Sequence, residues 1–219
     1  DIDNFSTNYP ECCIVNGEIN VTGDDITNLN GLADIEYVDG IFSISNNENL
    51  ISLVGLDNID TIVGEISIYN NPLLTDLTGL ESLTTVLGDL EVFSNDVLVS
   101  LIGLDGLTKV DGDLRIGYNN ILECLTGLNL LDTICGKLWI TTNNNLQNLT
   151  GLESLTYIGK LFSVHWNNSL INLAGINSLT TVGGGMSVHN NSSLANLSGL
   201  NTLTRVGEDF SIHWNNDLI

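Results

Sequence analysis

Between Gly64 and Leu87 the chain reads GEISIYNNPLLTDLTGLESLTTVL, and its apolar residues keep two spacings. Ile66 and Ile68 stand two apart, as on a short strand with one apolar face. Leu74, Leu77, Leu80, Leu83 and Val86 follow three apart, which suits a chain coiling around a core and leaves no run long enough for an ordinary helix. The same text recurs in both directions at a step of 24 residues, so the opening apolar residue falls at Phe42, Ile66, Leu90, Leu114, Leu138, Phe162, Met186 and Phe210. With that residue counted as position 0 of a coil, position 5 is always Asn: Asn47, Asn71, Asn95, Asn119, Asn143, Asn167, Asn191 and Asn215. Position 13 is Gly at Gly55, Gly79, Gly103, Gly127, Gly151, Gly175 and Gly199. An earlier unit, Gly17 to Asp39, is one residue short near Gly23. Stacked coils of this kind bury one continuous aliphatic column, each touching only its neighbours.

Both invariant rows have a structural reading. Where the chain turns off the strand, inward-facing backbone groups need partners, and a buried amide offers donor and acceptor together. Stacked Asn side chains then satisfy one another rung by rung. The Gly row predicts a tight turn with positive φ.

The unit G-x-L-x-I-x-x-N-x-x-L-x-x-L-x-G-L-x-x-L-x-x-V-x resembles leucine-rich repeats, and most closely receptor L-domain repeats, over about Gly17 to Ile219. Two departures from standard leucine-rich repeats favour the L-domain variety: a step of four rather than three from the last apolar residue to the next strand, as Val86 to Leu90, and a step of three rather than two from Asn to Leu, as Asn71 to Leu74. Uninterrupted arrays of this style are similar to bacterial (Bacteroidetes-type) surface proteins. The resemblance implies a mainly β, single right-handed leucine-rich-repeat solenoid with a parallel sheet on its concave face, an Asn ladder and few or no helices. It also implies recognition, on a secreted or cell-surface protein, without naming what is recognised. Residues 1–16 are expected to cap a continuous solenoid over 17–219, about eight and a half coils. Ile219 falls mid-coil, so a further C-terminal region of the same chain is expected, and Asp1 reads as the start of a mature or trimmed chain.

Composition narrows the function. Five basic against 27 acidic residues leave a net charge of −22, which opposes nucleic acid and anionic membrane surfaces. No run approaches the roughly 20 apolar residues of a membrane span. Cys12, Cys13, Cys124 and Cys135 have no metal-site spacing, and their pairing is not legible.

Positions 1, 3 and 4 of each coil should face outward from the strands. There the second half of the chain gathers His165, His189 and His213 at position 3, Trp166, Asn190 and Trp214 at position 4, and Trp139 at position 1. Tyr118 precedes them at position 4. Exposed Trp beside His and Asn suits a sugar platform or a protein hot spot, so these residues are the candidate ligand-binding set, with an extracellular glycan or protein as partner. The competing reading is an aromatic ladder that only stiffens the sheet, in a solenoid acting as a spacer or stalk. Adjacent histidines resist full protonation, so binding should change between about pH 5 and 7.

Other chemistries fit less well. Two of the in-line histidines could share a zinc ion, but a third would be stretched. The pairs Ser163–His165, Ser187–His189 and Ser211–His213, the last extended by Asp209, look like catalytic dyads, yet residues two apart on a strand stand about 6.6 Å apart along the backbone, which argues against an enzyme. Acidic rows at Glu65, Asp89, Asp113 and at Asp57, Glu81, Asp105 read as solvated surface, with calcium bridging as the alternative; no cofactor is otherwise implied. Threonines at positions 18 and 19, as in Thr84–Thr85 and Thr180–Thr181, suggest ice binding, but Lys109, Asp132, Tyr157 and Arg205 break the rows and their adjacency should bend the face. Among the glycosylation sequons are Asn148, Asn167, Asn190 and Asn196.

Overall fold

From Phe42 to Val188 the position-0 and position-2 side chains, such as Ile66 and Ile68, are buried, while Ser67 and Tyr69 between and beyond them reach solvent. That alternation makes four-residue strands, and the computed structural model, which describes residues 2–219, stacks them in parallel. Asp1, read above as a chain start, lies outside the described residues. The strands Ile19–Val21, Phe42–Ser45, Ile66–Tyr69, Leu90–Phe93, Leu114–Gly117, Leu138–Thr141, Phe162–His165, Met186–His189 and Phe210–His213 form one nine-stranded sheet in chain order. Its register steps by 24 residues, as in Leu114↔Leu138, except at the short first coil, where Ile19 pairs with Phe42.

The solenoid with a parallel sheet is as expected, and a second nine-stranded parallel sheet, which the sequence reading did not describe, runs along another side. Its strands have only two residues each, at positions 19 and 20: Ile14–Val15, Tyr37–Val38, Thr61–Ile62, Thr85–Val86, Lys109–Val110, Thr133–Ile134, Tyr157–Ile158, Thr181–Val182 and Arg205–Val206. Position 20 is buried from Val38 to Val182, and position 19 lies outward. Along it Thr61, Thr85, Lys109, Thr133, Tyr157 and Thr181 are in register from coil to coil. Among the described residues helix is confined to Phe5–Asn8 and the single 3-10 turns Ile2–Asn4 and Asn30–Leu32. Ile2 and Phe5 pack against the first coils of the column.

Between the sheets lies one core of Leu, Ile, Val and Phe, with Leu74, Leu77, Leu80, Leu83 and Val86 all at zero exposure. The Asn row is buried with it and closes a ladder. Asn119 shows the pattern: its Nδ2 donates to the Val92 carbonyl at 2.9 Å and to Asn143 Oδ1 at 3.4 Å, while its backbone N–H donates to Asn143 Oδ1 at 3.1 Å. Its own Oδ1 accepts the Asn95 backbone N–H at 3.0 Å. Asn47, the first rung, follows a coil without an Asn at the ladder position, and its Oδ1 has no partner among the described residues. The position-13 glycines adopt φ of 110–118°, as the sequence predicts. At these glycines a Cβ would strike backbone of the preceding coil, so close stacking also requires Gly. The cysteines are free.

Replacing Asn119 by Leu keeps the volume and orphans the Val92 carbonyl and the Asn95 N–H. The expected loss is about 3 kcal/mol, at about 1–3 kcal/mol per unsatisfied buried group, read as a lower urea midpoint. An unchanged midpoint would show that the ladder is not what holds neighbouring coils in place.

Candidate functional site

Position 4 ends each long strand, and there the backbone enters the left-handed region at every coil. Asn46, Asn70, Ser94, Tyr118, Thr142, Trp166, Asn190 and Trp214 have φ between 53 and 57°. For non-Gly residues this conformation costs about 1–2 kcal/mol, with Asn best able to adopt it and β-branched or bulky residues worst. Asn46, Asn70 and Asn190 are the local solution. Tyr118, Thr142, Trp166 and Trp214 are strained choices.

The three histidines one position earlier form a stack. His165 and His189 lie with centroids 4.8 Å apart at 7°, and His189 and His213 at 4.9 Å and 8°. The indoles stand edge-on to them, Trp166 at 74° to His165 and 81° to His189, and Trp214 at 87° to His189 and 79° to His213. Trp166 is 50% exposed and Trp214 69%, whereas His165 is only 7% exposed. Of the candidate residues, then, the two indoles are presented to solvent, while His165 is buried against Trp166 and Trp214 stands against His189 and His213. Asn190 sits in the coil between the indoles, with its amide 3.1 Å from His189 Nδ1. Trp139 joins the cluster from position 1, with its ring 5.7 Å from His165. Tyr118 does not touch the stack and leans on Phe93 at 6.1 Å, two coils before Trp166.

Trp139 Nε1–H donates to His165 Nε2 at 3.0 Å. The neutral ring therefore carries its proton on Nδ1, which donates to Ser163 Oγ at 3.1 Å. Two sequence expectations change here. The Ser–His distance is not prohibitive, because the side chains lean together along the strand; Ser211 Oγ and His213 Nδ1 are likewise 3.0 Å apart. At His165, however, the tautomer makes the imidazole a donor toward Ser163, so it offers that hydroxyl no base. Burial pushes His165 from 6.5 down to about 4, and the adjacent His189 adds to the shift. Burial also lowers His189, helped by His213. The response expected at about pH 5–7 thus extends further into acid at His165.

No protein-family model, curated protein or solved structure matches this chain.

Its remaining rows are largely engaged by backbone. Asp57, Glu81 and Asp105 accept the N–H of the position-13 glycines at 2.8–2.9 Å. Asp89 and Asp113 accept backbone N–H groups at 2.7 and 2.8 Å, and both pair with Arg115, which also binds Glu91. Among the described residues no cluster of three or more acidic, His or Cys side chains could hold a metal ion. The position-18 hydroxyls of Thr84, Thr108, Thr156, Thr180 and Thr204 donate to carbonyls of the preceding coil. Of the sequon residues, Asn148 and Asn196 accept backbone N–H bonds from Thr150 and Ser198, and Asn167 is buried in the ladder. No described helix is long and apolar enough to cross a membrane.

Sequence reading missed a second, outer amide row at position 6. Asn144 Nδ2 donates to Asn120 Oδ1 at 2.9 Å, Asn168 Nδ2 to Asn144 Oδ1 at 3.2 Å, and Ser192 Oγ to Asn168 Oδ1 at 3.3 Å. The recurrence of Asn one residue beyond the buried ladder was its signal.

Two outcomes are expected. Thr142→Asn should raise stability by about 1 kcal/mol, because it relieves a β-branched residue at positive φ; a loss in chemical denaturation would mean that the Thr141–Thr142 hydroxyl pair at 3.1 Å outweighs the strain. His165 has a depressed folded-state pKa, so it contributes stability above about pH 6.5 that is lost as pH falls toward 4. Denaturation midpoints of the wild type and His165→Gln, compared from pH 7 to 4, should therefore converge on acidification; a constant gap would mean that burial does not disfavour the charged His165 ring.

Proposed function

We propose that the chain is a non-catalytic recognition module of a secreted or cell-surface protein, and that it holds an extracellular glycan on the outer face of the long-strand sheet. The observation that carries this reading is the pair of half-exposed indoles, Trp166 and Trp214, braced edge-on against a rigid imidazole stack. Flat apolar rings fixed in orientation bind sugar faces by stacking, while nearby polar groups select hydroxyls. Asn190 supplies such a group between the rings. The small polar residues around them, Thr142, Ser187 and Asn168, favour a sugar over the aromatic and apolar clusters typical of protein hot spots. The internal use of the Ser163–His165 pair supports binding rather than hydrolysis. The repeat text supports kinship with leucine-rich repeats of the receptor L-domain variety, a fold that by itself names no ligand.

A glycan and surface-protein binding screen of the wild type beside the double variant Trp166→Asn/Trp214→Asn tests the proposal. Asn suits the left-handed backbone, so the variant should keep its fold. A glycan hit that the variant loses is the expected result. A hit indifferent to both substitutions would move the site elsewhere, and no hit at all would leave the solenoid as a spacer.

A further inference from the structure

The column that carries the two tryptophans has a longer period than the coil. Tyr118, Trp166 and Trp214 are its large exposed residues, one at every second coil, with Thr142 and Asn190 in the coils between. All five share a φ of 56–57°, so each side chain leaves the sheet from the same backbone geometry. Coils stacked by parallel strands advance about 4.8 Å each, which spaces consecutive aromatic residues about 10 Å apart. The imidazole planes stack from coil to coil, and both indoles stand at 74–87° to them. The indole planes therefore stand lengthwise along the solenoid, and because Trp166 and Trp214 lie two coils apart in one column, a ligand that spans both runs lengthwise too. Beside this column the position-6 row of Asn120, Asn144, Asn168 and Ser192 keeps the one-coil period. An amide in that row still has a free N–H and a free lone pair to offer.

An extended β-1,4-linked hexopyranose chain has the same two periods. Each sugar advances by nearly one rung of about 4.8 Å, and each is turned over relative to the last, so the same face recurs at every second sugar. Glucans joined by β-1,3 or α-1,4 bonds coil instead and lose this match. The net charge of −22 repels carboxylated and sulfated chains. We infer that the column from Tyr118 to Trp214 is a linear binding site for a neutral β-1,4-linked glycan lying along the solenoid, one sugar per coil. The first, third and fifth sugars stack on Tyr118, Trp166 and Trp214, and the second and fourth meet Thr142 and Asn190. This rests on the recognition reading above and adds linkage, direction and length to it.

Calorimetric titration of the full 219-residue chain with hexasaccharides separates the possibilities. Cellohexaose, mannohexaose and chitohexaose carry the β-1,4 linkage; laminarihexaose and maltohexaose are the coiled glucose controls. At least one β-1,4 probe should bind about tenfold or more tighter than both controls, and its affinity should climb with chain length up to five sugars and then level off. Trp166→Asn, central in the row, should weaken it about tenfold, with an unchanged far-ultraviolet dichroism spectrum reporting an intact fold. Equal affinity for all linkages, lost in the Trp variants, overturns the linear site and leaves sugar recognition standing. Failure of every oligosaccharide overturns it as well; a protein partner lost in the Trp variants would then carry the recognition reading. Binding unaffected by Trp166 and Trp214, or no partner of any kind, overturns both.

Discussion

Every coil depends on an amide that belongs to its neighbour. The backbone turning off each long strand leaves an inward N–H and a carbonyl that the aliphatic column cannot satisfy, and the stacked Asn side chains take up both. Because each Oδ1 serves the preceding rung, the coil length is held at 24 residues wherever the ladder runs, and register with it. The glycines at position 13 serve the same constraint from the far side, since only a residue without Cβ lets successive backbones approach closely enough.

That rigid register carries side chains outward as well as inward. The imidazole stack exists because position 3 of three consecutive strands is His and the strands pair without slip, as His165↔His189↔His213. One rung alone would leave a mobile surface ring. Three in line give two indoles a fixed wall, and Trp139 closes the end of the stack with a hydrogen bond that settles the tautomer of the most buried ring. Strain and support occur together here: the bulky residues at positive φ stand beside the part of the face with the most ring contacts.

The period, the aliphatic core, the Asn ladder and the glycine turns were legible in the sequence, because each repeats one residue type at one spacing. The second sheet was not. Two-residue strands show no alternation, and their outward position holds Thr, Lys, Tyr and Arg in no order. The left-handed corner was signalled by Asn46, Asn70 and Asn190, but aromatic residues at the same position drew attention to chemistry instead of backbone. Backbone rise misjudged the Ser–His pairs, since side chains two apart on one face lean toward each other. Composition and spacing placed the candidate residues on the long-strand sheet, yet could not say that His165 is buried while the indoles are exposed.

A molecule whose register holds from Phe42 to its last strand can change length there without disturbing its core. Asn71 meets Asn95 in the way that Asn143 meets Asn167, so a seam cut after any coil can be rejoined after any other with the hydrogen bonds across it restored. The natural unit of change in such a chain is the coil, gained or lost whole. The core is indifferent to how many are added. The outer column is not: its aromatic residues alternate, so one extra coil throws the two sides out of phase while two preserve it. Parity is therefore visible only on the surface, and it is there that selection on array length would be felt.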